Sequence, residues 1–272
     1  MESIGRISDL KIIGKGRTAE IFEINNGKVL KLFFSNFSSR AIQREVEIGK
    51  VLNELKIPAP FFHESTIING REGIVYERIN GETLAEFILK NPFKIKSIGK
   101  DMATIHFDIH SNNSCKLLQQ KNNFENAIED SKNILGGRTT KILQLLNILQ
   151  DSDAICHGDF HPGNIMVHNK GYIAIDWMNA YSGNPLSDVV RTQLMINGPD
   201  LPDDISIILK VFVRLIKKCL YKVYTKKYCN LAGIDNSELD RWIPIVAASR
   251  LRENIPGEKK WLLSLIDKNL DT

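Results

Sequence analysis

The densest set of reactive side chains runs from Cys156 to Trp177, CHGDFHPGNIMVHNKGYIAIDW, where His, Asp and Asn residues crowd together. His157 and His161 are four apart, the spacing with which two imidazoles hold zinc from one helical face. That grip requires a helix between them. Gly158 lies inside the pair and Pro162-Gly163 follows at once, so the segment reads as an irregular loop and zinc is set aside. A zinc-peptidase helix would also carry glutamate directly after the first histidine, where this chain has Gly158. Oxygen donors suit the segment better. Asp159 and Asn164 precede an expected hairpin, with arms at 165–167 and 172–175 and a turn at 169–171 that leaves His168 at the surface. The hairpin returns the chain, so Asp176 is expected beside Asn164, with Asp159 held close by the same loop. Two carboxylates and an amide are the hard ligands Mg2+ takes when it also holds substrate phosphates. Such a set serves phosphoryl transfer, one aspartate accepting a hydroxyl proton while the other and the asparagine hold metal. Taken singly, loop Asp and Asn residues more often satisfy turns and caps. The spacing D-x-x-x-x-N, then a hairpin, then Asp is what sets this group apart.

These groups need elements to position them. The first eighty residues alternate as a sheet: LKIIGKG, AEIFEI and KVLKLFF, the last two joined at Asn25-Asn26-Gly27, a hairpin signal. A second pair is expected around FFHESTIING and REGIVYERI, joined at Asn69-Gly70. Between the pairs, Ile42, Ile48, Val51, Leu52 and Leu55 keep a 3.6-residue rhythm that predicts a helix over 40–55, ended by Pro58 and Pro60. Gly14-Lys15-Gly16 forms a glycine turn between strands, suited to folding over phosphates or to an ordinary hairpin. Lys31 is a charge inside an apolar strand, placed beneath that turn to hold phosphates or, more plainly, exposed on a sheet edge. Glu45 shares the inward helical face and is preferred over Glu47, about 200° away, as its partner. After Asn80-Gly81 the pattern turns helical. The reading is therefore α+β, with a small, mostly antiparallel β lobe over 1–79 and a larger, mainly helical lobe over 80–272.

In this order — glycine turn, strand lysine, helix glutamate, HGDFHPGNI, AIDW, then GNPLSDVVR — the motifs resemble the aminoglycoside phosphotransferase and choline-kinase-like small-molecule kinases, relatives of the protein kinases. The resemblance implies a two-lobed protein-kinase-like fold and Mg2+-dependent transfer of the γ-phosphate of ATP or GTP to a small-molecule hydroxyl. It implies Asp159 as catalytic base and Asn164 and Asp176 as magnesium ligands. Lys31, paired with Glu45, would hold the α- and β-phosphates under the loop at Gly14 and Gly16. Backbone from Glu77 to Ile79 would face the nucleotide base, His157 would brace the catalytic loop, and Asp188 would support it from within. Ala19 stands where a third glycine is common, AIDW replaces Asp-Phe-Gly, and no activation-loop segment or Ala-Pro-Glu motif is present. An atypical protein kinase and a nucleotide-binding pseudokinase acting through partners are the alternative readings.

Composition bounds the rest. The 272 residues are 43% hydrophobic and 25% charged, average for a globular chain, and the +4 net charge is too small to imply nucleic-acid binding. Cys115, Cys156, Cys219 and Cys229 form no framework, the N-terminus has no apolar leader, and no run is long enough to span a bilayer; cytoplasmic residence with no membrane partner is expected. The apolar run ISIILKVFVRLIKKCLYKVY from Ile205 is broken by Lys210, Arg214, Lys217 and Lys218. It reads as an amphipathic helix with one solvated face, a membrane-surface or partner-binding helix being the alternative. Lys and Arg outnumber Asp and Glu from there onward, which favours a sugar, amino alcohol or other metabolite as acceptor over a polycationic aminoglycoside. Glu253 and Glu258 are the candidate acidic contacts to an acceptor, with surface ion pairing the plainer role. Trp177 and Trp242 are candidate walls, with buried packing the plainer role.

Overall fold

A computed structural model describes residues 10–25, 27–169, 171–199 and 206–270. The chain divides into two compact units: residues 1–84 with 164–178, and residues 85–163 with 179–272. Asn26 and Lys170, expected in turns, and Ile205, where the basic apolar run begins, lie outside the described residues.

The first unit is built on an antiparallel five-stranded sheet. Its strands are β1 (Lys11–Lys15), β2 (Ala19–Ile24), β3 (Lys28–Phe33), β4 (Phe62–Ile68) and β5 (Arg71–Glu77), in the order β1-β2-β3-β5-β4. Period-2 alternation sends Phe22, Leu30, Leu32 and Val75 into one apolar cluster and Ala19, Phe33 and Ile74 into another. Helix α1 (Ser39–Leu55) covers the second cluster with Ile42 and Val46. The helical phase that buries Ile42, Val46 and Leu52 also carries Glu45 inward and leaves Glu47 exposed. Asn69 and Gly70 both take positive φ, 50° and 76°, as a tight hairpin between β4 and β5 requires. A smaller sheet completes the unit: β6 (Glu82–Thr83) pairs with β8 (Ile165–His168), which pairs with β9 (Gly171–Ala174). The arms run one residue further toward the turn than 165–167 and 172–175 allow, because His168 pairs with Gly171. His168, expected at the surface, is half-buried in consequence.

The second unit is helical. Its larger elements are α2 (Leu84–Lys90), α3 (Ile95–His110), α4 (Gln120–Asp130), α5 (Lys132–Leu135), α6 (Arg138–Ile148), α7 (Pro185–Asn197) and α8 (Ile207–Ala232). They are followed by α9 (Asn236–Asp240), α10 (Ile243–Arg250) and α11 (Glu258–Leu270). Two three-residue strands, β7 (Ala154–Cys156) and β10 (Tyr181–Gly183), pair antiparallel at its centre. Among the described residues no helix is long and apolar enough to cross a membrane.

Candidate active site

In the first unit the candidate residues gather around a buried lysine. Lys31 is 9% exposed and lies opposite Ile21 and Ile74 in the sheet, on the α1 side with Phe33. Its Nζ donates to Glu45 Oε1 at 2.8 Å and to Asp176 Oδ1 at 3.0 Å, and it stands 5.4 Å from the Phe33 ring centroid. An ammonium taken out of water needs such partners. Burial pulls its pKa down, but the Glu45 and Asp176 carboxylates outweigh burial and hold it above the ordinary lysine value. For Glu45, burial dominates and pushes the carboxyl up against the pull of Lys31. Tyr76 steadies the same oxygen, its hydroxyl donating to Glu45 Oε1 at 3.1 Å. The other oxygen, Oε2, is buried with no hydrogen-bond partner among the described residues.

Asp176 follows β9 in the left-handed region, φ 60°, with its side chain half-exposed. The hairpin brings it back toward Asn164: the Ile175 N–H donates to the Asn164 carbonyl at 2.9 Å. A half-exposed carboxylate and an amide from one short segment are hard oxygen donors, and they fit a divalent cation of the magnesium type.

The glycines differ from the expected turn. Gly14 lies within β1, opposite Ile21 at an irregularity in the ladder, so the turn proper begins at Gly16, whose N–H donates to the Ala19 carbonyl at 2.9 Å. Neither glycine has positive φ, and a Cβ at either would meet only ordinary contacts. Glu77 closes β5 with its N–H donating to the Phe61 carbonyl at 2.9 Å, and Ile79 follows in the half-buried connection to β6. Trp177 is packed, 5% exposed, its indole N–H donating to the Ala174 carbonyl at 2.9 Å, so it offers no wall to a ligand.

Asp159 belongs to the second unit, on a loop fixed from below by a buried carboxylate. Asp188 on α7 is fully buried; its Oδ2 accepts the His157 N–H at 2.6 Å and its Oδ1 the Gly158 N–H at 3.0 Å. His157 is also buried and takes the Asp159 N–H on Nδ1 at 3.2 Å. Gly158 has φ 75°, and a Cβ there would run into the Asn179 carbonyl oxygen, so glycine is required by both conformation and space. Thr192 and Arg191 donate to the carbonyls of Phe160 (2.8 Å) and Gly158. The first part of this loop, residues 157–160, is tied to α7.

Sequence reasoning missed what lies behind Asp188. His106 and His110 on α3 donate through Nε2 to Asp188 Oδ2 at 3.1 and 3.4 Å. Their Nδ1 atoms accept hydroxyl protons from Tyr224 at 2.7 Å and Tyr228 at 2.6 Å, both on α8. Burial, reinforced by His110, lowers the His106 pKa to about 3, so its imidazole is neutral. Burial alone would raise the Asp188 pKa, yet His106 and His110 hold it well below the usual carboxylate range. These three side chains lie close enough to surround a cation. However, Asp188 already accepts N–H donors at both oxygens, and the tyrosines fix the tautomers, so the cluster fits no metal. The signal was two histidines and two tyrosines, each pair at i,i+4 on its helix.

Around Asp159 the charges alternate. Arg191 Nη2 stands 3.8 Å from Asp159 Oδ1, and its Nη1 lies 2.6 Å from Glu253 Oε1. Arg250 meets Glu253 at 3.3 Å and clamps Glu258 with two bonds, 2.7 and 2.8 Å. Glu253 and Glu258 are thereby committed to arginines, and Trp242 is buried at 3% exposure. His161 Nε2 lies 3.9 Å from Asp159 Oδ2.

The sequence matches the model of the phosphotransferase enzyme family over residues 9–206. No curated protein matches it significantly. Among solved structures the chain is similar to the apo form of a thermostable mutant of the aminoglycoside phosphotransferase APH(4)-Ia. The TM-score is 0.67 and the identity 15%, over 97% of this chain and 94% of that one. It is similar also to the amicoumacin kinase hAmiN in complex with AMP-PNP, Ca2+ and Ami (TM-score 0.63, 14% identity, 98% and 89% covered). A choline kinase from Cryptosporidium parvum Iowa II gives TM-score 0.57 at 14% identity, 97% and 88% covered. Likeness at such identities speaks for the fold: α+β and protein-kinase-like, an antiparallel sheet followed by a helical part. The family match covers well over half of the residues, and on that ground the chain belongs to the phosphotransferase enzyme family.

Proposed function

We propose that the protein is a Mg2+-dependent phosphotransferase that moves the γ-phosphate of ATP or GTP to a hydroxyl of a small molecule. The observation that carries this reading is the buried Lys31 bound to Glu45 and to the half-exposed Asp176. It is an ammonium held in place beside a carboxylate that can turn to a metal. Residues 1–79 act as the nucleotide-binding lobe and 80–272 as the catalytic and acceptor-binding lobe. Lys31, oriented by Glu45, holds the α- and β-phosphates under the strand and turn at Gly14 and Gly16. Backbone from Glu77 to Ile79 faces the base. Asn164 and Asp176 would hold magnesium, which when bound neutralises phosphate charge. Asp159 takes the proton of the acceptor hydroxyl. The freed oxygen forms the new bond to the γ-phosphorus as the bond to the nucleoside diphosphate breaks. His157 and Asp188 keep Asp159 in register. The neighbours support the donor class: one APH(4)-Ia structure is a ternary complex with ADP and hygromycin B, and the amicoumacin kinase holds AMP-PNP with Ca2+.

A sugar or amino alcohol is the acceptor we favour over an aminoglycoside, because the acidic candidates Glu253 and Glu258 are already spent on Arg191 and Arg250. Such a kinase needs neither nucleic acid nor a disulfide framework, and its scattered free thiols suit the cytoplasm. The test is incubation with Mg-ATP or Mg-GTP and pooled sugars, choline analogues and aminoglycosides, with phosphorylated products read by mass spectrometry. Asp159→Asn should lower kcat by roughly 10²–10⁴-fold, and EDTA should abolish transfer until magnesium is restored. Nucleotide binding with no transfer to any acceptor would make the protein a pseudokinase.

A further inference from the structure

Helix α8 presents to solvent what helices normally hide. Its buried residues — Leu220, Tyr224, Thr225, Tyr228 and Cys229 — all fall in its C-terminal half, where Gly99, His106 and His110 of α3 meet it. In the N-terminal half, Ile207 (68% exposed), Ile208 (79%), Val211 (48%), Phe212 (41%) and Leu215 (62%) stay open. At 100° per residue these five fall within one 140° arc. The sequence reading gave this helix a solvated polar face. In its N-terminal half the solvated face carries large apolar side chains as well as charge.

The charges on the same helix run to one sign. α8 holds seven Lys and Arg and no Asp or Glu. Arg214, Lys218, Lys222 and Lys226 are exposed at i,i+4 spacing, so they form a ladder that starts beside the apolar arc and continues along the helix. Like charges at i,i+4 repel, and no carboxylate within the helix relieves them. A phosphate-lined nucleic acid would answer the ladder but not the aliphatic arc. A second copy would answer the arc but bring two cationic ladders together.

We propose that the N-terminal half of α8 docks on a bilayer bearing anionic headgroups. The acyl layer takes Ile207, Ile208, Val211, Phe212 and Leu215, and the headgroups neutralise the ladder. The helix lies on the surface and does not cross it, in keeping with its hydropathy. This assignment is independent of the reaction proposed above, and its test reads no catalysis.

The full-length protein is sedimented with phosphatidylcholine vesicles, with and without phosphatidylglycerol. Binding is expected to the anionic vesicles alone and to fall steeply with salt. Replacing three rungs together, Arg214→Gln, Lys218→Gln and Lys222→Gln, should lower the partition coefficient by roughly 10²-fold, at about fivefold per cation. Leu215→Ser with Ile208→Ser should abolish binding while leaving the thermal midpoint in place, since neither side chain is buried. The proposal is overturned by sedimentation with neither vesicle, by equal binding to both, or by competition from soluble polyglutamate that matches the lipid, which would mark an acidic protein partner. A concentration-dependent dimer in light scattering that the serine variants abolish would give the face to a second copy and overturn it equally.

Discussion

At Gly158 two requirements coincide: a left-handed φ of 75° and the Asn179 carbonyl where a Cβ would stand. Gly158→Ala should therefore cost roughly 2–4 kcal/mol, read as a lower urea midpoint. Its carbonyl and N–H are both taken, by Arg191 and Asp188, so the loop cannot relax without giving up those bonds. A stability change within a few tenths of a kcal/mol would show that the loop moves freely. Sequence reading caught the glycine as a helix breaker. It did not see the closed space around it, which depends on a residue 21 positions further on.

Among the elements, α10 and α11 are joined by a buried clamp rather than by apolar contact alone. Glu258 is 3% exposed and takes two bonds from Arg250. Glu258→Gln leaves a buried guanidinium short of its counter-charge and should cost about 3–5 kcal/mol. Replacing both residues with apolar ones of similar volume should recover much of that loss. A single-variant cost below 1 kcal/mol would show the clamp to be loosely held. Legibility follows the range of the contact. The helical phase of α1 and the turn at Asn69-Gly70 are local, and both were readable. β7 and β10 are three residues each, too short to show alternation, and their pairing went unseen. His106 and His110 were visible as residues on a helix, but Tyr224 and Tyr228 lie 118 positions away. Lys31 and Asp176 are 145 apart, and the sequence points only to Glu45 as the lysine's partner. For Glu253 and Glu258 ion pairing is the plainer role in the sequence, and both are ion-paired, Glu258 in a buried setting rather than at the surface.

For the whole molecule the buried His106 lowers stability in acid. His106 stays neutral in the folded state down to about pH 3, whereas in the unfolded chain it protonates near its ordinary 6.5. The unfolded state thus binds the extra proton, and stability falls as pH drops from about 6.5 toward 3, by up to about 1.4 kcal/mol per pH unit. Asp188, held low, adds to this loss once pH falls below the ordinary carboxylate value toward its own. Glu45, held high, works the other way, its contribution growing as pH falls through its folded value. Thermal midpoints across that range should fall with acid, and His106→Gln should flatten the slope above pH 5. An unchanged slope in that variant would remove the histidine from the account.

The interleaving of the two units along the chain has a further consequence, for synthesis. The first unit is interrupted: its first stretch, with the five-stranded sheet and α1, ends at residue 84, and its hairpin, with Asp176, arrives only at 164–178. On the ribosome, Lys31 and Glu45 emerge and can meet long before their third partner exists. That unit must then wait, partly assembled, while the intervening helices are made, and it can close only once residue 178 has emerged, still ahead of the second unit, whose later segment begins at 179. A fragment cut at residue 84 would repeat that waiting state permanently.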